Sequence, residues 1–356
     1  MVYISLVFTI LIMGLFSYNQ STFPKNRTFL LLSSIILIVM AGLRNFTVGV
    51  DTFSYVQIFE SVKGVPIIDF FNGNYYEYRS IETGYLIWNK VISIFSNNAQ
   101  MMIFFNSFLY ICLMFNFIKK NSVNVFLTVF IFFAGGMYIL FFNLMRQMIA
   151  IAFISNSFIY YKDRKYWLSI LLFLLAFSFH VISIVGIVMF VVSKIKYTKF
   201  KITISFFIIT FVGLNYIFFV NLITQVLPRF AKYLNNQGIV NPIGGIFVFF
   251  VIDIILILYA VYIAKWDERW HEITFLSIMT SLYILFVLLG SQFNFLDRVG
   301  LVFKPFEVLF VSIVLEKISG RYKYIVLIGY CMLLIMYFIL STVYSDQYQY
   351  VFFWKG

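Results

Sequence analysis

Apolar residues recur along this chain in unbroken runs, most of them long enough to cross a hydrocarbon core about 30 Å thick. Eleven runs stand out, at 2–17, 28–43, 98–118, 123–140, 142–161, 166–193, 202–224, 244–264, 272–290, 299–316 and 324–344. Nothing alternates with period two over successive segments, so an outer-membrane barrel is not supported. The pattern predicts an all-α polytopic membrane protein with 11–12 transmembrane or re-entrant helices and a long outer loop after the second span. No repeat, low-complexity tract or soluble linker interrupts it, so residues 1–356 read as a single transmembrane domain. The first run has no basic flank before it and no small-residue cleavage site after it, and reads as a retained helix rather than a signal peptide.

The longest polar segment, 44–97, lies between the second and third runs. It carries Asp51, Glu60, Asp69, Glu77 and Glu82 among many aromatics, including Tyr55, Tyr85 and Trp88. Two short helices are expected there. One starts at Asp51 or Thr52; the other covers 84–95, with Thr83 as its N-cap.

The basic residues set the orientation. With the N-terminus outside, sixteen of the 26 Lys and Arg fall in the inner segments, and the rest spread over a much longer outer length. The run 166–193 is basic at both ends, at 162–165 and 194–201, which leaves two readings. A single crossing reverses every later loop. A hairpin turning near Ser178-Phe179-His180 keeps both clusters inside, and the charge bias favours it. Arms of about 13 residues reach only some 20 Å, so the pair would be re-entrant or broken. On that reading 44–97, the turn before Arg146, the His180 apex and 291–298 share the outer face.

Composition changes this picture little. Residues are 62% hydrophobic and 11% charged, as a membrane protein requires. The net charge of +12 would suggest nucleic acid in a soluble protein, but here the basic residues sit in short clusters between spans, so no nucleic-acid partner is expected. Cys112 and Cys331 lie inside apolar runs without metal-ligand spacing and read as buried small side chains. Neither a metal nor a cofactor is expected, since no Gly-rich phosphate loop, zinc spacing, nucleotide fold or Ser/His/Asp signature is present.

The candidate chemistry rests on a few polar residues. Asp51 fits an N-cap or a general base on a sugar hydroxyl; Arg44 fits a lipid-phosphate anchor or a holder of an anionic substrate group. Asn143, Arg146, Gln147 and Ala150 are spaced as one stripe of a helix, which must face protein or water, and an arginine there is a functional candidate by default. His180 is either a packed ring or a contact to diphosphate or hydroxyl. Asp297-Arg298 fits a surface pair. Lys304 and Glu307 suit an internal ion pair, and Asp253 matches their depth, which is either a structural network or a proton route. A polar site facing outside, away from cytosolic nucleotides, argues for a lipid-carried activated donor.

Gly42-Leu43-Arg44, Val48-Gly49-Val50-Asp51-Thr52 with Tyr55, Glu82-Thr83-Gly84-Tyr85 with Asn89, Arg146-Gln147-Met148-Ile149-Ala150, and Ala176 with Phe179-His180 resemble, in order and spacing, the EpsG family of Wzy-like polysaccharide polymerases. The first half carries the resemblance; the second shares mainly its hydropathy, with Asp297-Arg298 a weaker echo. The resemblance implies a metal-independent, glycosyltransferase-like integral membrane polymerase. It would join undecaprenyl-diphosphate-linked oligosaccharides into capsular, exopolysaccharide or O-antigen chains at the outer face of the bacterial cytoplasmic membrane. Arg44, Arg146, Gln147 and Arg298 would then contact the diphosphate, Asp51 would be the base with Glu82 the alternative, and His180 would assist. Membrane lipids, a chain-length regulator and a flippase are the expected partners. A flippase or transporter of lipid-linked sugars, or a polysaccharide acyltransferase, is the competing expectation.

Overall fold

The computed structural model describes residues 2–18, 23–72, 81–195, 243–263, 270–290 and 294–355, with Phe207, Phe211, Asn215, Phe218 and Gln225. Most of the expected span 202–224 and of the basic stretch 194–201 lies outside these residues, as does Glu77. Among the described residues the chain is mostly helical and has no strand; one isolated antiparallel bridge joins Arg44 to Phe352. Among the described residues four helical stretches are long and apolar enough to cross a membrane, over Ala99–Asn121, Val125–Asn143 (broken at Gly135-Gly136), His271–Gly290 and Lys323–Thr342. Shorter apolar helices include 2–16, 27–42 and 166–179. The protein is an all-α polytopic membrane protein.

The chain packs as two units, residues 1–184 with 328–356, and residues 185–327. The first contains α1 (Val2–Tyr18), α2 (Phe23–Gly42), three short helices α3 (Thr52–Val62), α4 (Ile67–Phe71) and α5 (Thr83–Phe95), then α6 (Ala99–Asn121), α7 (Val125–Ala134), α8 (Met137–Asn143), α9 (Met145–Lys162) and α10 (Tyr166–Phe179). The second holds α11 (Ile187–Ser193), α12 (Ile243–Leu258), α13 (Trp270–Gly290), α14 (Asn294–Gly300) and α15 (Lys304–Lys317). A last helix, α16 (Lys323–Thr342), begins in the second unit and runs into the first.

The hub of the first unit is α9, whose residues 147–159 are all buried. Lipid tails are as apolar as leucine, so contacts between membrane helices rest on close packing and hydrogen bonds rather than on escape from water. The sequence of α9 supplies both. Ala150 and Ala152 keep its surface flat, Ser157 Oγ donates to Ser169 O of α10 at 2.6 Å, and Asn156 Nδ2 donates to Leu113 O of α6 at 2.8 Å. An aromatic layer fills the adjoining space, with Tyr110 stacked on Phe141 at 4.6 Å and Phe133 against Phe338 at 4.4 Å.

Several expected boundaries shift for identifiable reasons. The run 123–140 is two helices, because Gly135-Gly136 breaks it and Gly136 takes a left-handed φ of 99°. The run 299–316 starts only at Lys304, with Pro305 in the first turn, where a missing N–H costs nothing. The run 166–193 breaks at His180, which is extended (φ −160°, ψ 124°) and is followed by a 3-10 turn over Val181–Gly186. The N-cap of α5 is Glu82, one residue before the expected Thr83. A third short helix, α4, joins the two expected in the polar segment.

After α16 the chain returns along the start of that segment. Asn45 N–H donates to Val351 O at 2.8 Å, Phe353 N–H to Leu43 O at 3.0 Å and Gly49 N–H to Gln347 O at 2.9 Å. The Tyr350 hydroxyl donates to Met40 O at 2.7 Å.

Candidate functional site

Three motif residues far apart in sequence meet in the first unit. Glu82, at the head of α5, accepts from Arg146 Nη1 on Oε2 at 2.5 Å and from the Val181 N–H on Oε1 at 3.0 Å. Its Oε1 also lies 3.8 Å from His180 Nδ1. That contact is not a hydrogen bond in the neutral ring. The Ile182 N–H donates to His180 Nδ1 at 3.3 Å, which makes Nδ1 an acceptor and puts the neutral ring's proton on Nε2. The side chains of Glu82, Arg146 and His180 are each 18–19% exposed, so the cluster is partly dehydrated yet reachable.

The elements around it explain the meeting. Met145 begins α9 directly after the break at Leu144, so Arg146 stands in the first turn of that helix. Helix α5 lies close against α10: a Cβ at Gly84 would run into the Ser178 side chain and carbonyl. Tyr85 sits edge-on to Phe179 at 6.0 Å and to Tyr55 at 6.1 Å, and the Arg146 guanidinium lies 5.9 Å from the Tyr85 ring centre. One guanidinium nitrogen holds Glu82, while the buried Nε has no hydrogen-bond partner among the described residues. Arg146 therefore keeps donor capacity for an anion.

Asp51 stands beside this cluster, one tyrosine away. It occupies the N-cap position of α3 but makes no capping bond; the neighbouring Thr52 Oγ1 instead donates to Val48 O at 2.7 Å. The half-buried Asp51 carboxylate has no hydrogen-bond or ion-pair partner among the described residues. Tyr55 links it to the arginine. Burial pushes the Tyr55 hydroxyl above the ordinary phenol range, the nearby Arg146 charge opposes the shift, and Asp51 adds to it. The same hydroxyl donates to Asn143 O at 3.1 Å.

The remaining candidates lie elsewhere. Arg44, expected at an anionic group or at lipid phosphates, is enclosed by protein, with no exposed surface. Its guanidinium lies 4.3 Å from the Phe142 ring centre and 5.6 Å from that of Phe141, and Nη1 donates to Ala41 O. Burial pulls it down to about 10, against the influence of the Tyr138, Tyr3, Tyr350 and Tyr55 hydroxyls. Gln147 is 2% exposed within α9. Asn143 ends α8 and does not continue the stripe of Arg146 and Gln147, because the helix breaks between them. Arg298 is exposed on α14 in the second unit, and its N–H donates to Asp297 Oδ1 at 2.5 Å.

The second unit has a polar cluster of its own. Lys304 Nζ lies 3.0 Å from Glu307 Oε2 and 4.6 Å from the Tyr283 ring centre, and the 1%-exposed Asp253 of α12 is within electrostatic reach of both charges. The expected ion pair is present, with a second buried carboxylate beside it.

Sequence reasoning missed Tyr348, whose hydroxyl accepts from Asn143 Nδ2 at 2.7 Å. No spacing rule links positions 205 residues apart. A family model described as the EpsG family matches residues 27–353. No curated protein and no solved structure matches the chain.

Proposed function

The chain belongs to the EpsG family of Wzy-like polysaccharide polymerases, and from that premise we propose that it joins oligosaccharide repeat units carried on undecaprenyl diphosphate. The reaction takes place at the outer face of the bacterial cytoplasmic membrane and builds a capsular, exopolysaccharide or O-antigen chain. A flippase supplies the units and a chain-length regulator acts on the product.

The chemistry follows from the cluster. An acceptor-sugar hydroxyl attacks the anomeric carbon of the donor. The new glycosidic C–O bond forms as the C–O bond to the diphosphate breaks, and the leaving group carries the added negative charge. Asp51, a carboxylate with no other partner among the described residues, takes the hydroxyl proton. Arg146 receives the developing charge on its guanidinium, whose Nε has no hydrogen-bond partner among the described residues. Because Glu82 already fixes the guanidinium, little reorganisation is needed when the charge appears. Both oxygens of Glu82 are engaged, one by Arg146 and one by the Val181 N–H, which suits a positioning role better than that of a base. The His180 Nε2–H contributes a further donor.

The carrying observation is the convergence of Glu82, Arg146 and the His180-Val181 turn, across 64 residues to Arg146 and 99 to Val181, on one partly dehydrated point. Arg146→Ala in a host whose polymer resolves as a ladder on a gel is expected to leave single repeats, with chain formation down by at least about a hundredfold. Full-length polymer from a normally expressed variant refutes the reading. A flippase is the second reading, favoured by the buried Asp253, Lys304 and Glu307. Labelling lipid-linked sugar from outside intact cells separates the two: loss of a polymerase leaves single repeats outside, and loss of a flippase leaves them inside.

A further inference from the structure

The segment that follows α16 touches the site where the sequence gives no hint of it. Tyr348 meets Asn143 through a 2.7 Å hydrogen bond, and Asn143 is a junction. Its Oδ1 accepts the Val50 N–H at 2.9 Å, which fixes the residue before Asp51. Its carbonyl accepts the Tyr55 hydroxyl at 3.1 Å, the group that feels both the Asp51 and the Arg146 charge. Three residues further on is Arg146 itself. The Gly49 N–H, one residue before Val50, is held by Gln347 O of the same returning segment at 2.9 Å. The loop carrying Asp51 is thus tied on one side to Asn143, which Tyr348 holds in turn, and on the other to Gln347. Both polar atoms of the Asn143 amide are engaged, Oδ1 by Val50 and Nδ2 by Tyr348. Without the tyrosine hydroxyl the Asn143 amide is held in this orientation by the Val50 N–H alone.

We infer that Tyr348 is a positioning residue of the polymerase site: through Asn143 it holds the Asp51 loop against the first turn of α9, so that base and guanidinium keep a fixed separation. The inference rests on the polymerase reading and adds to it a segment that touches no reacting atom. A carboxylate displaced by about 1 Å from its working place costs as much as a hundredfold in rate. A phenol is suited to this task because it can donate as well as accept. That property supplies the test. Asn143→Ala removes both bonds. Asn143→Asp keeps the acceptor for Val50 and lets the Tyr348 hydroxyl turn round and donate to the new carboxylate.

The experiment compares Tyr348→Phe, Asn143→Ala, Asn143→Asp and Arg146→Ala in the host that makes the polymer, at matched protein levels in the membrane. Chain formation per molecule is the first readout. The second is the reaction of a cysteine at Val50 with a membrane-impermeant maleimide, with and without Tyr348→Phe. Val50 is 60% exposed, so the probe reads the loop without passing through activity. Expected are a ten- to hundredfold loss for Tyr348→Phe and Asn143→Ala, recovery of at least half of that loss on a logarithmic scale in Asn143→Asp, and faster labelling at position 50 when the hydroxyl is missing. Normal polymer from Tyr348→Phe overturns the inference, as does equal loss in Asn143→Ala and Asn143→Asp. If Arg146→Ala also polymerises normally, the polymerase reading falls as well, whereas the labelling result still decides whether Tyr348 holds the loop.

Discussion

Glu82 has two carboxylate oxygens, and the fold commits them to two different segments, α9 through Arg146 and the turn after α10 through the Val181 N–H. Glu82→Gln keeps one acceptor and removes the charge. It gives up the charge assistance of a hydrogen bond worth about 1.5–3 kcal/mol, and polymer formation per molecule is expected to fall by roughly ten- to a hundredfold. An unchanged chain-length ladder would show that Arg146 needs no anchor. Arg146 and His180 were legible as candidates because polar residues inside or beside apolar runs are costly and call for a reason, and Glu82 through the family resemblance. Which of the three touched which was not legible, and Glu82 read as an alternative base rather than as the group that holds the others. The surroundings of Arg44 were not legible, for a physical reason. At the end of a hydrophobic run an arginine looks like a lipid anchor or an anion holder, whereas here Phe141, Phe142 and Tyr350 enclose it, the last from more than 300 residues away.

Helices were easier to foresee than their ends. The runs that became α6, α13 and α16 are long, apolar and flanked by polar residues, so their span follows from membrane thickness alone. The breaks inside 123–140 and 299–316 leave little hydropathy signal, because glycine and proline stop a helix without adding charge. The five-residue α4 is too short to show any period. Helix α5 matters most at this scale, since it carries Glu82 and packs on α10 through Gly84 and Ser178. Gly84→Ala must push the two helices apart at that point, moving Glu82 away from the Val181 N–H. The expected outcome is a variant that stays folded in detergent but loses most of its polymerisation, because the displacement falls on the positioning group rather than on the hub helix α9. Size-exclusion behaviour and the polymer ladder, read together, check it; a fully active Gly84→Ala would show that the contact yields at no cost.

For the molecule as a whole, hydropathy identified the class of protein, and the basic clusters gave an orientation in which the cluster faces outward. A cysteine at Val181, 52% exposed beside Glu82, tests that orientation directly once Cys112 and Cys331 are replaced by serine. Labelling by an impermeant maleimide in intact cells is expected, and protection until the membrane is broken would turn the site toward the cytoplasm. What hydropathy could not show is how late the site is completed. Asn143 waits for a hydroxyl 205 positions downstream, and Met40 accepts from a side chain 310 positions away. Loops of that length close only after the stretches between them are in place. A growing chain therefore inserts its arginine, glutamate and histidine early yet stays without its hydroxyl clamp through most of synthesis. Half-made copies in the membrane would be idle, and two co-expressed halves should work only when the downstream one can find its partner.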